Sequence, residues 1–157
     1  MRFLILLLLF TSCSVTGPLR EDLSASNFTF PEPVKGWKLL PLSEGAQRLY
    51  QHISTGSVLS VSSLCDRYAT APLSQLVRNP LTPLATYKEL ESKKLRIADR
   101  DAEQLYVSGS LDGVKVEVVM IVVRKNECVF DFSLQASPQI QNTVKNDFLN
   151  MVKGFSF

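Results

Sequence analysis

Between residues 127 and 136 the side chains alternate between apolar and polar with a single break. Cys128, Phe130, Phe132, Leu134 and Ala136 fall on one side, and Glu127, Asp131, Ser133 and Gln135 on the other, with Val129 as the exception. Successive strand side chains point to opposite faces, so this pattern predicts a half-buried antiparallel strand with its apolar face inward. Residues 114–123 begin with the same alternation, Lys115 and Glu117 outward, and then turn apolar on both faces from Val118 to Val123. That change predicts a central strand. Asp112-Gly113 joins it to an upstream strand at 105–111, and Lys125-Asn126 separates it from the strand that follows. Asp-Gly between alternating runs is a strong hairpin signal, because a tight hairpin turn needs positive φ at its central residues. Three strands therefore form a meander.

Strand patterns at 37–40, 47–53 and 57–64, with Thr55-Gly56 as a turn, precede the meander, and 96–98 adds a further short strand. The sheet should have six or seven antiparallel strands. Helical signals flank it. Thr82-Pro83 reads as a cap followed by a first-turn proline, and Leu84, Tyr87 and Leu90 recur at helical spacing up to Lys93-Lys94. A shorter helix is predicted over 72–78. At the C-terminus Ser137-Pro138 repeats the cap, Ile140, Val144, Phe148, Met151 and Phe155 form one apolar stripe, and Gly154 stands at the C′ position. Helices packed on an antiparallel sheet make the class α+β.

The N-terminus carries a different signal. Arg2 is followed by eight apolar residues, Phe3 to Phe10, too few for a span of about 20 but the length of a signal-peptide core. The next residues, Phe10-Thr11-Ser12-Cys13, resemble the lipobox of bacterial lipoproteins, with Phe in place of the usual Leu. The resemblance implies removal of residues 1–12 and acylation of Cys13. Three acyl chains at about 0.8 kcal/mol per buried methylene would hold the protein at a bilayer. Ser14, where Asp would imply retention in the inner membrane, implies the outer membrane facing the periplasm. Cleavage by the ordinary signal peptidase after Ser14 is the alternative. Residues 13–35, with Gly17-Pro18 and Pro31-Glu32-Pro33, lack any period and read as a lipidated N-terminus and flexible tether. The single domain is then 36–157.

With Cys13 assigned to lipid, Cys65 and Cys128 remain as a possible disulfide in an oxidising compartment. Closing so long a loop is worth on the order of 4 kcal/mol in the chain-entropy treatment. Two buried reduced thiols are the alternative. A metal site is not expected, because Cys65, Cys128 and His52 lack any ligand spacing.

Taken in order, the hairpins, helical segment, meander with its Asp-Gly turn and terminal helix resemble the PsbP/Mog-like fold, an α/β/α sandwich. The residues that carry the resemblance are Gly36-Trp37, Leu111-Asp112-Gly113, Cys128-Val129-Phe130-Asp131-Phe132, and Phe148 with Gly154-Phe155. More narrowly the chain resembles a group of short bacterial lipoproteins that share the lipobox, the mid-chain cysteine and the Cys-Val-Phe-Asp segment. The PsbP/Mog resemblance implies a docking module, since PsbP relatives are extrinsic, non-catalytic proteins of membrane complexes and Mog relatives bind a small GTPase. Neither partner's binding residues map onto this chain.

The chemical inventory points the same way. His52 is the only imidazole, no G-x-S-x-G elbow is present, and Cys65 sits in an apolar strand that would raise its thiol pKa. Asp99, Asp101 and Glu103 cluster with Arg100 and read as a solvated turn. Asp131 is expected to pair across strands with Lys115 or Arg124. No phosphate-cradling glycine motif occurs, which excludes a nucleotide cofactor of the common kinds. Seventeen basic against fifteen acidic residues, a net charge of +2, give no nucleic-acid footprint. No catalytic, cofactor or metal residue is therefore assigned. The expectation is a lipid-anchored envelope protein that binds an envelope complex or a small ligand. The alternatives are a hydrolase built on His52 or the Asp99–Glu103 cluster, and a purely structural envelope lipoprotein.

Overall fold

Residues 28–33, 35–42, 46–65, 70–84, 86–139 and 142–157 are described by a computed structural model. Among these residues seven antiparallel strands form one open sheet: β1 (Trp37–Leu39), β2 (Ala46–His52), β3 (Val58–Cys65), β4 (Tyr87–Ile97), β5 (Arg100–Leu111), β6 (Val114–Lys125) and β7 (Cys128–Ala136). Their order is β1-β2-β3-β7-β6-β5-β4, so two meanders are joined where β7 lies beside β3. Two short helices, α1 (Leu73–Leu76) and α2 (Asn142–Lys153), complete an α+β fold.

The pattern along β6 explains the two layers. From Val116 to Val123 every side chain is buried, because both faces of the sheet are covered there. Val119, Ile121 and Val123 point to the first face, where Phe130, Phe132 and the α2 residues Val144 and Phe148 pack. Val118, Met120 and Val122 point to the second, against Leu76, Val77 and Leu81 from α1 and the 3-10 turn that follows it. Each such side chain, fully buried, contributes roughly 1.5–3 kcal/mol.

Three expectations are corrected. The helix read from Thr82-Pro83 is instead β4, an edge strand paired with β5 from Tyr87 to Ile97. The Thr82 hydroxyl bonds back to the Asn79 carbonyl at 2.6 Å, closing the 3-10 turn rather than opening a helix. Lysines and glutamates along β4 together with a bulge between Glu89 and Glu91 blunt this exposed edge. The terminal helix begins after Pro138, since Gln139 has φ +66°, and Ile140 lies outside the described residues. Phe155 lies beyond the helix, yet it is buried and meets Phe132 edge-on at 4.9 Å.

The third concerns the segment assigned to the tether, where residues 28–33 belong to the domain. Thr29 bridges Ser156, and Phe30 is buried with its ring stacked on Phe132 at 5.9 Å. Phe28 meets Phe130 edge-on at 5.8 Å. Gly154 serves this docking: a Cβ there would stand 2.9 Å from Pro31 Cγ. Residues 1–27, on which the signal-peptide and Cys13 lipidation expectations fall, lie outside the described residues.

Candidate functional site

On the second face, β3 and β7 present small polar side chains where β5 and β6 present Val, Leu and Met. Ser60, Ser62, Asp131, Ser133 and Gln135 all point this way, by the alternation that buries Leu59, Val61, Phe132 and Leu134 on the other side. α1 packs on β5 and β6, and Leu81 of the 3-10 turn Asn79–Leu81 joins the same apolar cluster. A cleft opens between the polar floor and a wall formed by Pro80, Leu81, Pro83 and Leu84. Its main part holds about 270 Å³, and a second part of about 240 Å³, bounded by Leu64, Leu76 and Asn79, continues from it. Pro80 and Asp131 belong to both parts.

Asp131 lies at the centre. Ser62 is its partner on β3 and Val122 its partner on β6. Its carboxyl makes no hydrogen bond or ion pair among the described residues, and burial pushes its pKa up to about 6. The pairing expected with Lys115 or Arg124 is absent. Lys115 pairs with Ser110 near the start of β6, on the opposite face, and Arg124 donates to the Ala71 carbonyl. Beside Asp131, Ser60 and Ser133 share a hydroxyl–hydroxyl bond of 2.7 Å. These hydroxyls can rotate to donate or accept.

The other sequence candidates fall elsewhere. His52 ends β2, where its Nδ1 lies 3.0 Å from Thr55 Oγ1 and its ring meets Trp37 edge-on at 5.1 Å. Thr55 in turn contacts Ser57 at 2.8 Å, so the imidazole ties down the β2–β3 turn. Asp99 sits in the β4–β5 turn, with Ala98 and Asp99 both at positive φ, as a tight hairpin requires. Asp101 pairs with Arg96 at 3.3 Å, and Glu103 faces Lys94 across the ladder in a separate cleft beside Ser74. Strands β3, β7 and β6 stand between β2 and β5, so His52 and this acidic cluster share no site. Cys65 and Cys128 form a disulfide. No group of three His, Cys, Asp or Glu that could hold a metal occurs among the described residues.

Sequence reasoning named Asp131 but gave it a salt bridge, and it passed over Ser60, Ser62 and Ser133. The available signal was Ser60 and Ser62 alternating with Leu59 and Val61 in a strand adjacent to another whose outward face is Asp131, Ser133 and Gln135. Two polar faces side by side on a sheet with both sides covered mark a cleft.

No helix among the described residues is long and apolar enough to cross a membrane. A scan of protein-family models gives no match, and neither does a search of curated protein sequences. Solved structures do match. LpqN of Mycobacterium tuberculosis, a protein involved in cell envelope biogenesis, superimposes with a TM-score of 0.58 at 18% identity, over 82% of each chain. Cyanobacterial PsbP from Synechocystis gives 0.57 at 14% identity, over 82% of this chain and 85% of that one. A Pseudomonas aeruginosa protein of unknown function gives 0.52 at 15%, over 80% and 83%. At such identities the likeness is one of fold, and the fold is the PsbP-like one.

Proposed function

We propose that this chain is a lipid-anchored cell-envelope protein whose domain is a non-catalytic binding module, with the cleft over β3, β7 and β6 as its recognition site. The observation that carries the reading is a carboxylate without a partner among the described residues, at the floor of an open cleft of hydroxyls and apolar walls. Sites that hold small ligands are concave and mostly apolar, with a few polar groups that fix orientation. Among the described residues no hydrolytic set of nucleophile, base and orienting group is assembled there, since His52 lies at the β2–β3 turn. The lipobox resemblance at Cys13 supports anchoring, with the domain in the periplasm at the outer membrane. LpqN, a structural neighbour tied to envelope biogenesis, fits that setting.

The test is photocrosslinking in living cells from a benzoylphenylalanine placed at Leu84, on the cleft wall, with Leu39 on the β1 edge as control. The expected result is a defined adduct from Leu84 that disappears when Ser133→Trp fills the cleft, with none from Leu39. Equal labelling from both positions, or none from either, would overturn the reading.

A further inference from the structure

The reading of the cleft as a recognition site leaves open what enters it, and the inference here rests on that reading. We infer that the cleft takes a small organic ammonium ligand, its cationic group set against the Asp131 carboxylate and its apolar body along Leu84 and Met120.

Charge supplies the first reason. The two parts of the cleft contain no titratable side chain other than Asp131 among the described residues. β3 contributes Leu64 and serines, β6 contributes Val118 and Met120, and the segment from α1 to Leu84 contributes Leu76, Asn79 and apolar residues. Arg124, farther along the second face of β6, is directed to the Ala71 carbonyl. Arg78 is turned away to Glu89, 2.9 Å distant. An anion would meet repulsion with no compensating charge. A neutral ligand without a donor would leave the ionised carboxyl desolvated and unmatched, and a neutral donor would hydrogen-bond it without balancing its charge, whereas an ammonium group does both.

Coordination supplies the second. A hard metal ion takes six or more oxygen ligands, several of them anionic, and one carboxylate with three hydroxyls does not meet that demand. An ammonium group needs only a few acceptors around it, which Asp131 and the hydroxyl of its partner Ser62 provide. The volume supplies the third. The main part, about 270 Å³, admits a small molecule, and Pro80, Pro83 and Leu84 give its body an apolar wall.

The test uses the full chain, isotope-labelled, with benzylammonium as probe and benzyl alcohol as its neutral isostere. Benzylammonium is expected to shift the amide signals of Ser62, Ser133 and Gln135 saturably. Bound, it should draw the Asp131 carboxyl titration below its ligand-free midpoint. Its Kd should rise about tenfold for each pH unit below 6, as the carboxylate protonates. Asp131→Asn should abolish the preference for the cation, while Asp112→Asn, in the exposed hairpin turn, should retain it. Equal binding of the alcohol, or no saturation by the amine, would overturn the inference. If the crosslink from Leu84 still forms in that case, the cleft is a recognition site for something other than an organic cation. If the crosslink fails too, both readings fall together.

Discussion

Cys65 and Cys128 are direct cross-strand partners on β3 and β7, with Cα atoms 4.0 Å apart, and a disulfide joins them. They stand at the seam between the two meanders, 63 residues apart in sequence. Cys128→Ser should lower unfolding free energy by about 4 kcal/mol if loop entropy dominates. Chemical denaturation with and without reductant checks this: reductant should bring the native chain to the variant's stability and leave the variant unmoved.

Asp131 makes a prediction of opposite sign. Its folded pKa of about 6 lies above the ordinary carboxylate value, so the folded state binds the extra proton between about pH 4 and 6. Its contribution to stability is therefore complete below pH 4 and is lost as pH rises through 6. Asp131→Asn should stabilise the protein at neutral pH by up to about 3 kcal/mol, and this gain should vanish by pH 4. Urea unfolding of both proteins across that range is the check.

Much of the fold was legible because the decisive segments are buried on a known face. The alternation at 127–136 and the doubly apolar run ending at Val123 located β7 and β6, and Asp112-Gly113 located their hairpin neighbour. β4 was not legible, for a physical reason: an edge strand with most of its side chains in water has no face to mark with apolar residues. Its lysines and glutamates favour a helix locally, and ten cross-strand pairs with β5 override that preference. The cleft was half legible. Asp131 stood out as an outward carboxyl, but its isolation depends on which strands flank β7, and β3 is a neighbour that no local pattern announces.

The same limit hid the role of residues 28–33. Truncating Phe30 to Ala should cost about 3 kcal/mol, since its buried ring stacks on Phe132. Gly154→Ala should also destabilise, because the new methyl meets the Pro31 ring at 2.9 Å. Thermal unfolding of the two variants checks both, and unchanged midpoints would return this segment to the tether.

Anchoring has its own test at Cys13. Cys13→Ala should block lipoprotein processing, leaving a precursor or a soluble periplasmic form, while the domain folds as before. Intact mass after membrane extraction distinguishes these outcomes from a correctly processed chain that stays membrane-bound, which would contradict the lipobox reading.

The most direct measurement is the titration of the Asp131 side-chain carboxyl by carbon-13 NMR in the ligand-free protein. A midpoint near pH 6 is expected, the mark of a desolvated carboxylate with no counter-charge and hence of a cleft with a charge still to be met. A midpoint in the ordinary carboxylate range would mean that the group is already solvated or paired, and the recognition site would have lost its central feature.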